Sequence, residues 1–243
     1  MSLGIDPNAL EKFLAVTSVS PRHRAYKGFE DDLLGKLNPT TLLDQLFWHE
    51  KRWLDFPEFV QLYWQENQDQ LKRTFHQQIN TLGFTFQQHL AARLYRTQFG
   101  FLTEYHAAIL ADAIFAEHGC MVDRSPEMDR LGVDFTVNGL DMPYHIHIFV
   151  DTERSWAYRQ YKRTQKASNH VFGCHIDFPY KVAGGCLHSL RLLPNGFGVY
   201  QRAYVEHLCL MLETGQALAR QLPYVDCRRG LMFEENTGDT IIS

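Results

Sequence analysis

Two acidic residues and two histidines lie close together near the middle of the chain, at spacings that could build a catalytic site. Asp129 and Asp134 flank Gly132 where a strand is predicted to begin. His145 and His147 follow on the next predicted strand, where residues two apart share one face. Carboxylates at a strand start, with polar groups on its hairpin partner, form the layout of metal-dependent nucleases, which bind Mg²⁺ through oxygen ligands.

The same residues have simpler interpretations. Two aspartates near a turn are more often turn formers or helix caps than metal ligands. The His-x-His pair could chelate Zn²⁺ together with Asp134, but two polar residues on a half-exposed strand are the favoured interpretation. A second group has the residue types of a zinc site without a common structural zinc spacing, and buried cysteines are favoured there. Its members are His170, Cys174, His175, Cys186 and His188.

A basic stretch follows the two-histidine strand. Its candidate DNA-binding residues are Arg154, Arg159, Lys162, Arg163 and Lys166. At helical spacing, Arg159, Arg163 and Lys166 fall close to one face. A basic face beside a candidate metal cleft is where a phosphodiester backbone would bind. A solvated helix face is an equally good interpretation of the stretch alone.

The elements that must position these residues change character halfway along the chain. The clearest predicted helix runs from Phe86 to His118, with apolar residues at three- and four-residue steps. Asn138-Gly139 predicts a hairpin between strands Gly132–Val137 and Tyr144–Val150. The other predicted helices are Pro7–Val16, Pro39–Trp53, Phe56–Leu82, the basic stretch and Arg202–Gln221, and the other predicted strands are Cys120–Val122, His170–Tyr180 and Gly196–Tyr200.

Helices first, then strands with one basic helix among them, predict an α/β (α+β) fold. The predicted division is an N-terminal helical subdomain at residues 1–85, a core at 86–233 and a tail at 234–243. A net charge of −4 argues against non-specific coating of nucleic acid, although it allows a local basic cleft. Scattered cysteines, no signal peptide and no apolar run of about 18 residues predict a cytoplasmic protein away from membranes.

Five segments, in the same order along the chain, resemble the TaqI family of type II restriction endonucleases. E-M-D-R-L-G-V-D at Glu127–Asp134 is similar to the family's Glu-Leu-Asp-x-x-Gly-Ile-Asp, which places Asp129 and Asp134 on its two acidic positions. The other similar segments are F-P-E-F-V-Q-L-Y-W at Phe56–Trp64, H-L-A-A-R-L-Y-R-T at His89–Thr97, I-D-F-P-Y at Ile176–Tyr180 and L-P-N-G-F-G-V-Y-Q-R-A-Y-V-E at Leu193–Glu206.

The resemblance implies a PD-(D/E)XK-type nuclease core, a restriction-endonuclease-like mixed central sheet flanked by helices. It implies Mg²⁺-dependent hydrolysis of phosphodiester bonds in duplex DNA at a short palindromic site, with Mn²⁺ or Zn²⁺ as alternative ions. A homodimer suits such a site, because each subunit can cut one strand. A companion DNA methyltransferase acting on the same site is a further expected partner. The predicted catalytic residues are Asp129, Asp134 and His147, and the predicted metal ligands are Asp134, Glu104 and His147.

One strand departs from the family's pattern. Where the family has Gln-Ile-Lys-Lys, this chain has His147-Ile148-Phe149-Val150, so Phe149 and Val150 occupy the two lysine positions. Phenylalanine supplies neither a charge nor a hydrogen bond beside the scissile phosphate.

Three outcomes of this departure are open. A cation from the following helix reaches back into the cleft, with Arg154, Lys162 and Arg163 as candidates. Alternatively, His145 and His147 act as metal ligands or as a base. In the third outcome, the protein is catalytically degenerate and binds specific DNA without cutting it.

Overall fold

The computed structural model describes residues 3–20, 23, 33–125, 128, 132–165, 172–181, 189–215 and 224–227. The α-helices are α1 (Pro7–Val16), α2 (Pro39–Asp44), α3 (Phe56–Thr74), α4 (His76–Leu82), α5 (Phe84–Glu117), α6 (Glu153–Gln165) and α7 (Arg202–Glu213). The strands are β1 (Met121–Asp123), β2 (Phe135–Asn138), β3 (Tyr144–Val150), β4 (Cys174–Tyr180), β5 (Leu190–Leu192), β6 (Gly198–Tyr200) and β7 (Tyr224–Asp226).

The chain divides into two units. The helical unit comprises Lys12–Thr103 and Leu193–Phe197, and the sheet unit comprises Met1–Glu11, Glu104–Leu192 and Gly198–Ser243. The boundary expected at residues 85 and 86 stays a prediction.

Helix α3 of the helical unit begins where the sequence predicts, at a reciprocal cap. The Asp55 carboxylate accepts a hydrogen bond from the Glu58 amide at 3.0 Å, and the Glu58 carboxylate accepts one from the Asp55 amide at 3.1 Å. The single helix predicted from Phe56 to Leu82 is broken. Phe75 leaves helical geometry at φ −113°, and its buried ring packs 5.6 Å from that of Phe86. Two helices, α3 and α4, therefore stand in place of the single predicted one, with the buried Phe75 between them.

The main sheet of the sheet unit has the strand order β1-β2-β3-β4-β7. Strands β1, β2 and β3 pair antiparallel, and β3, β4 and β7 pair parallel. Helix α6 lies between β3 and β4 in sequence, as a parallel pair requires a long crossover. The mixed sheet with helices confirms the predicted α+β fold. The predicted bounds of β3 agree with the structure, whereas β5 and β7 were not predicted.

Strand β3 lies inside the sheet, and its first five residues are buried. Tyr144, Ile146 and Ile148 contribute to the apolar core, which also contains residues of α5 and α7. The opposite face is buried too, since His145 and His147 are each only 3 % exposed. The half-exposed strand that the alternation favours is therefore wrong. A central strand with parallel pairing is covered on both faces, and here one of the covered faces carries imidazoles.

Candidate functional site

A cleft of about 190 Å³ in the sheet unit brings together residues of β3, α6 and the turn before β2. Its lining includes Asp134, His147, Phe149, Ser155, Tyr158 and Arg159. Three residues that the sequence predicts for chemistry or DNA binding thus share one cavity. The phenylalanine in the family's lysine position also lines this cavity.

Asp134 is held by the backbone of the neighbouring strand. Its amide donates to the Ile146 carbonyl at 2.9 Å, and its Oδ2 accepts the Ile148 amide at 2.6 Å. The residue stands immediately before β2, so the antiparallel pairing with β3 fixes both its backbone and its side chain. A carboxylate that is positioned this way can present charge to the cleft with little loss of side-chain entropy on binding.

Glu104 of α5 is half-buried and lies in the same unit. Its charge and that of Asp134 act on one buried phenol. Burial is the main reason that the pKa of Tyr200 stands well above its usual value, and the two carboxylates raise that pKa further. The metal-ligand roles of Glu104 and Asp134 stay predictions.

The remaining predicted site residues are described only in part. Asp129 and Lys166 lie outside the described residues, and the side chains of Lys162 and Arg163 lie outside them as well. Arg154 is exposed on α6. The site roles of all these residues stay predictions.

Three imidazoles form a row across β3 and β4, in which His147 and His175 are hydrogen-bonded to each other. His147 Nδ1 lies 2.5 Å from the Gly132 carbonyl oxygen, and its Nε2 lies 2.8 Å from His175 Nδ1. Because a carbonyl oxygen can only accept, His147 Nδ1 carries the proton and Nε2 accepts from His175. In the same way, His145 Nε2 donates to the Phe172 carbonyl at 3.0 Å, and its Nδ1 lies 3.1 Å from the Thr136 hydroxyl.

His147 is held as a neutral ring in this row. Burial lowers its pKa well below the usual value, and the positive charge of Arg159 lowers it further, against the opposing hydrogen bond to Gly132. Both ring nitrogens are engaged, so a bond to a metal ion would require His147 to give up its contact with His175. Its predicted roles as ligand and catalytic residue stay predictions, while the geometry shows a ring that lines the cleft and hydrogen bonds to Gly132 and His175.

The neutral His147 predicts a pH dependence of stability. Below pH 6.5 the His147 imidazole binds a proton in the unfolded protein and stays neutral in the folded protein. The free energy of unfolding therefore falls as the pH is lowered. The slope from this one group reaches about 1.4 kcal/mol per pH unit. We expect His147→Gln, which introduces the family's amide, to remove this contribution. The free energy of unfolding of this variant, measured by urea unfolding with EDTA, should then fall less steeply between pH 6.5 and 5, by up to about 1.4 kcal/mol per pH unit. Equal slopes in the two proteins would contradict the neutral assignment.

Arg159 lies differently from the exposed basic face that its spacing predicts. Its side chain is buried, with the residue 8 % exposed, and it forms an ion pair with Asp177 of β4, which is 1 % exposed. The guanidinium Nε and Nη2 donate to Asp177 Oδ1 at 3.1 and 2.8 Å. The register places Asp177 directly opposite His147. Sequence reasoning missed Asp177 as the partner of Arg159, although it lies within the I-D-F-P-Y segment.

The predicted zinc group is also described only in part. Cys174 is buried and His175 hydrogen bonds to His147, whereas His170, Cys186 and His188 lie outside the described residues. Within the described ranges, one group of three metal-binding side chains has its ligand atoms within 4.8 Å of one another, namely His118, Cys209 and Glu213. A 2.7 Å contact between His118 Nδ1 and the Glu213 carboxylate accounts for its closeness.

The TaqI restriction endonuclease family matches residues 8–186 of this chain. The chain belongs to that family. The type II restriction enzyme TaqI of Thermus aquaticus is 25 % identical over 235 residues, which cover 84 % of this chain and 86 % of that enzyme. The type II restriction enzyme TthHB8I of Thermus thermophilus is 25 % identical over 224 residues, covering 81 % and 83 % respectively. No solved structure matches the chain significantly.

Membership of the TaqI family confirms the resemblance stated from the five segments, and it supports a restriction-endonuclease-like function. A chain that belongs to the family therefore carries Phe149 at the position of the family's lysine, and Phe149 and Asp134 line the same cleft. Among the described residues, none of the helices combines the length and apolar character needed to cross a membrane.

Proposed function

We propose that this protein is a type II restriction endonuclease that hydrolyses phosphodiester bonds in duplex DNA at a short palindromic site. The observation that carries the proposal is the Asp134 carboxylate, fixed by the Ile148 amide at the edge of a cleft in a TaqI-family chain. The cleft is open to a ligand and contains both a carboxylate and a guanidinium. Hydrolysis of a phosphodiester uses groups of both signs, one toward a cation and one toward the phosphate.

Mg²⁺ is the proposed cofactor, with Mn²⁺ or Zn²⁺ as alternatives. The donor chemistry fits, because Asp134 and Glu104 offer hard carboxylate oxygens, and Asp129 occupies the family's other acidic position. When bound, the ion would supply Lewis-acid polarisation of the phosphate and a more acidic water. Asp134 would hold it, with Glu104 as its partner ligand, while His147 keeps the backbone around Gly132 in place.

The residues that line the cleft support a proposed path for the DNA. The backbone phosphate would enter the cleft between Asp134 and Arg159, with exposed Arg154 on the same helix as an outer contact. In the reaction, a water oxygen forms a bond to phosphorus while the bond to one ester oxygen breaks. One proton leaves the water, and the departing oxygen takes one up.

The proposed partners follow from the substrate. A two-fold symmetric DNA site is matched by two copies of this chain, each cutting one strand. A cell that contains such an enzyme must protect its own sites, so a methyltransferase that modifies the same sequence is the proposed companion.

A second candidate function is sequence-specific DNA binding without cleavage. Phe149 favours it, since an aromatic ring stands where the family carries a lysine. This alternative keeps the fold and the DNA-binding surface and changes only the chemical step.

Digestion of unmethylated DNA of mixed sequence tests the proposal. We expect the purified protein to yield discrete fragments with Mg²⁺, Mn²⁺ or Zn²⁺, and none with EDTA, because the acidic ligands cannot replace the ion's charge. Absence of discrete fragments with all three ions would overturn the endonuclease proposal. A salt-sensitive, sequence-dependent gel shift without cleavage would then establish the second function, and equal affinity for all sequences would remove it.

A further inference from the structure

We infer that Arg159 supplies the positive charge at the scissile phosphate that the family's lysine supplies from the strand. This inference rests on the proposed nuclease function. It assigns to this chain a relocated catalytic cation, moved from β3 to the following helix α6.

The position of the guanidinium is the first support. Arg159 lines the same cleft as Asp134, and its Cζ lies 5.8 Å from the centre of the Phe149 ring. The guanidinium therefore lies beside the Phe149 ring, which stands where the family has a lysine, in a cleft that His147 also lines.

The way the guanidinium is held is the second support. The two bonds to Asp177 fix it from β4, in a register that depends on the parallel pairing of β3 and β4. The Phe149 ring below it meets the Trp156 ring edge-on at 4.8 Å, and the Trp156 indole donates to Asp151 at 2.7 Å. A cation held this rigidly need not reorganise when charge develops on a phosphate, which is the condition for electrostatic catalysis.

The other described cations nearby are placed less well. Arg154 is exposed, and the Lys181 amine is 57 % exposed at 3.9 Å from Asp151. Among the described residues that line the cleft, Arg159 is the basic one.

The chemistry of arginine defines what this cation can do. A guanidinium stays protonated at every pH the protein tolerates, so it donates hydrogen bonds and cannot act as a base. Its planar fork suits two oxygens of one phosphate. Arg159 would therefore stabilise the charge that builds up on the phosphate, and the proton of the attacking water must go elsewhere.

A pair of variants separates action of Arg159 at the phosphate from a purely structural role, in which it only neutralises the buried Asp177. Asp177→Asn keeps the guanidinium beside a neutral amide, and Arg159→Gln/Asp177→Asn removes the guanidinium without leaving a buried carboxylate unpaired. We expect the double variant to cleave about 100-fold more slowly than Asp177→Asn. Equal rates in the two folded proteins would overturn the inference while wild-type cleavage still supports the nuclease proposal.

Rescue by the family's residue is the second readout. Phe149→Lys in the double variant places a cation at the position of the family's lysine, so we expect it to recover at least about tenfold in rate. The same substitution in the wild type crowds two cations and should lower the rate. Failure to recover, in a variant whose unfolding transition is intact, would contradict relocation.

A third readout is independent of cleavage. In metal-free binding to duplex DNA, loss of one phosphate contact should reduce the salt slope by about one between Asp177→Asn and the double variant. Arg202→Gln, which removes an exposed charge outside the cleft lining, serves as the matched control. An unchanged slope would place Arg159 away from the phosphate, even if the wild type binds DNA without cutting it. Failure of the wild type to bind or cut DNA would instead refute the proposed function itself.

Discussion

Asp134→Asn is expected to lower the single-turnover rate of DNA cleavage roughly 1000-fold, with no loss of the folded state. The asparagine oxygen can still accept the Ile148 amide, which now bonds to Asp134 Oδ2 at 2.6 Å. The negative charge that would hold a divalent cation is lost, however. The measurement is the cleavage rate at saturating metal, together with the thermal unfolding transition.

The matched control is Asp123→Asn, which removes an exposed carboxylate from β1 of the same sheet. Its cleavage rate should stay within about threefold of the wild type, since surface substitutions have small effects. A rate for Asp134→Asn that is also within threefold would remove Asp134 from the site. Loss of the unfolding transition in Asp134→Asn would instead show that the Ile148 contact needs the charge.

Arg159→Met is expected to lower the free energy of unfolding by about 3 kcal/mol, the largest effect on stability that we predict. It leaves the Asp177 carboxylate, 1 % exposed, without its guanidinium. Removal of one partner leaves a buried charge uncompensated, and this costs far more free energy than the intact ion pair contributes to stability. Urea unfolding at pH 7 measures the change.

Two further variants separate the charge effect from packing. Arg159→Met/Asp177→Leu should recover most of the lost stability, because replacing a whole buried ion pair by apolar groups is often nearly neutral. Arg154→Met, at an exposed position of the same helix, should change the free energy of unfolding by at most about 0.5 kcal/mol. A change below about 1 kcal/mol for Arg159→Met would mean that water solvates Asp177 in solution.

Local signals in the sequence predicted much of the scaffold. The alternation at Tyr144–Val150 gave the bounds of β3, and the apolar periodicity after Phe86 located α5 to within two residues. The Asn138-Gly139 turn correctly indicated the hairpin that presents Asp134 to β3. These signals lie within one element or one turn, where propensity and side-chain period act directly.

Long-range contacts were not predictable in this way. The burial of His147 depends on β4, whose Asp177 lies 30 positions later and is placed opposite by parallel pairing. The burial of the Arg159 side chain depends on the same pairing, which places Asp177. Helical spacing shows only which residues share a face of the helix, and it does not show which segment packs against that face.

By itself, the sequence determined the fold class, the family and the departure at Phe149, since all three are properties of residue order. Only the tertiary structure decided that the imidazoles of β3 are buried and that a guanidinium lies beside Phe149. The physical reason is that hydrogen-bond partners and burial are set by strand register and helix packing between distant segments. The type of a residue does not by itself identify the residues that it contacts in the fold.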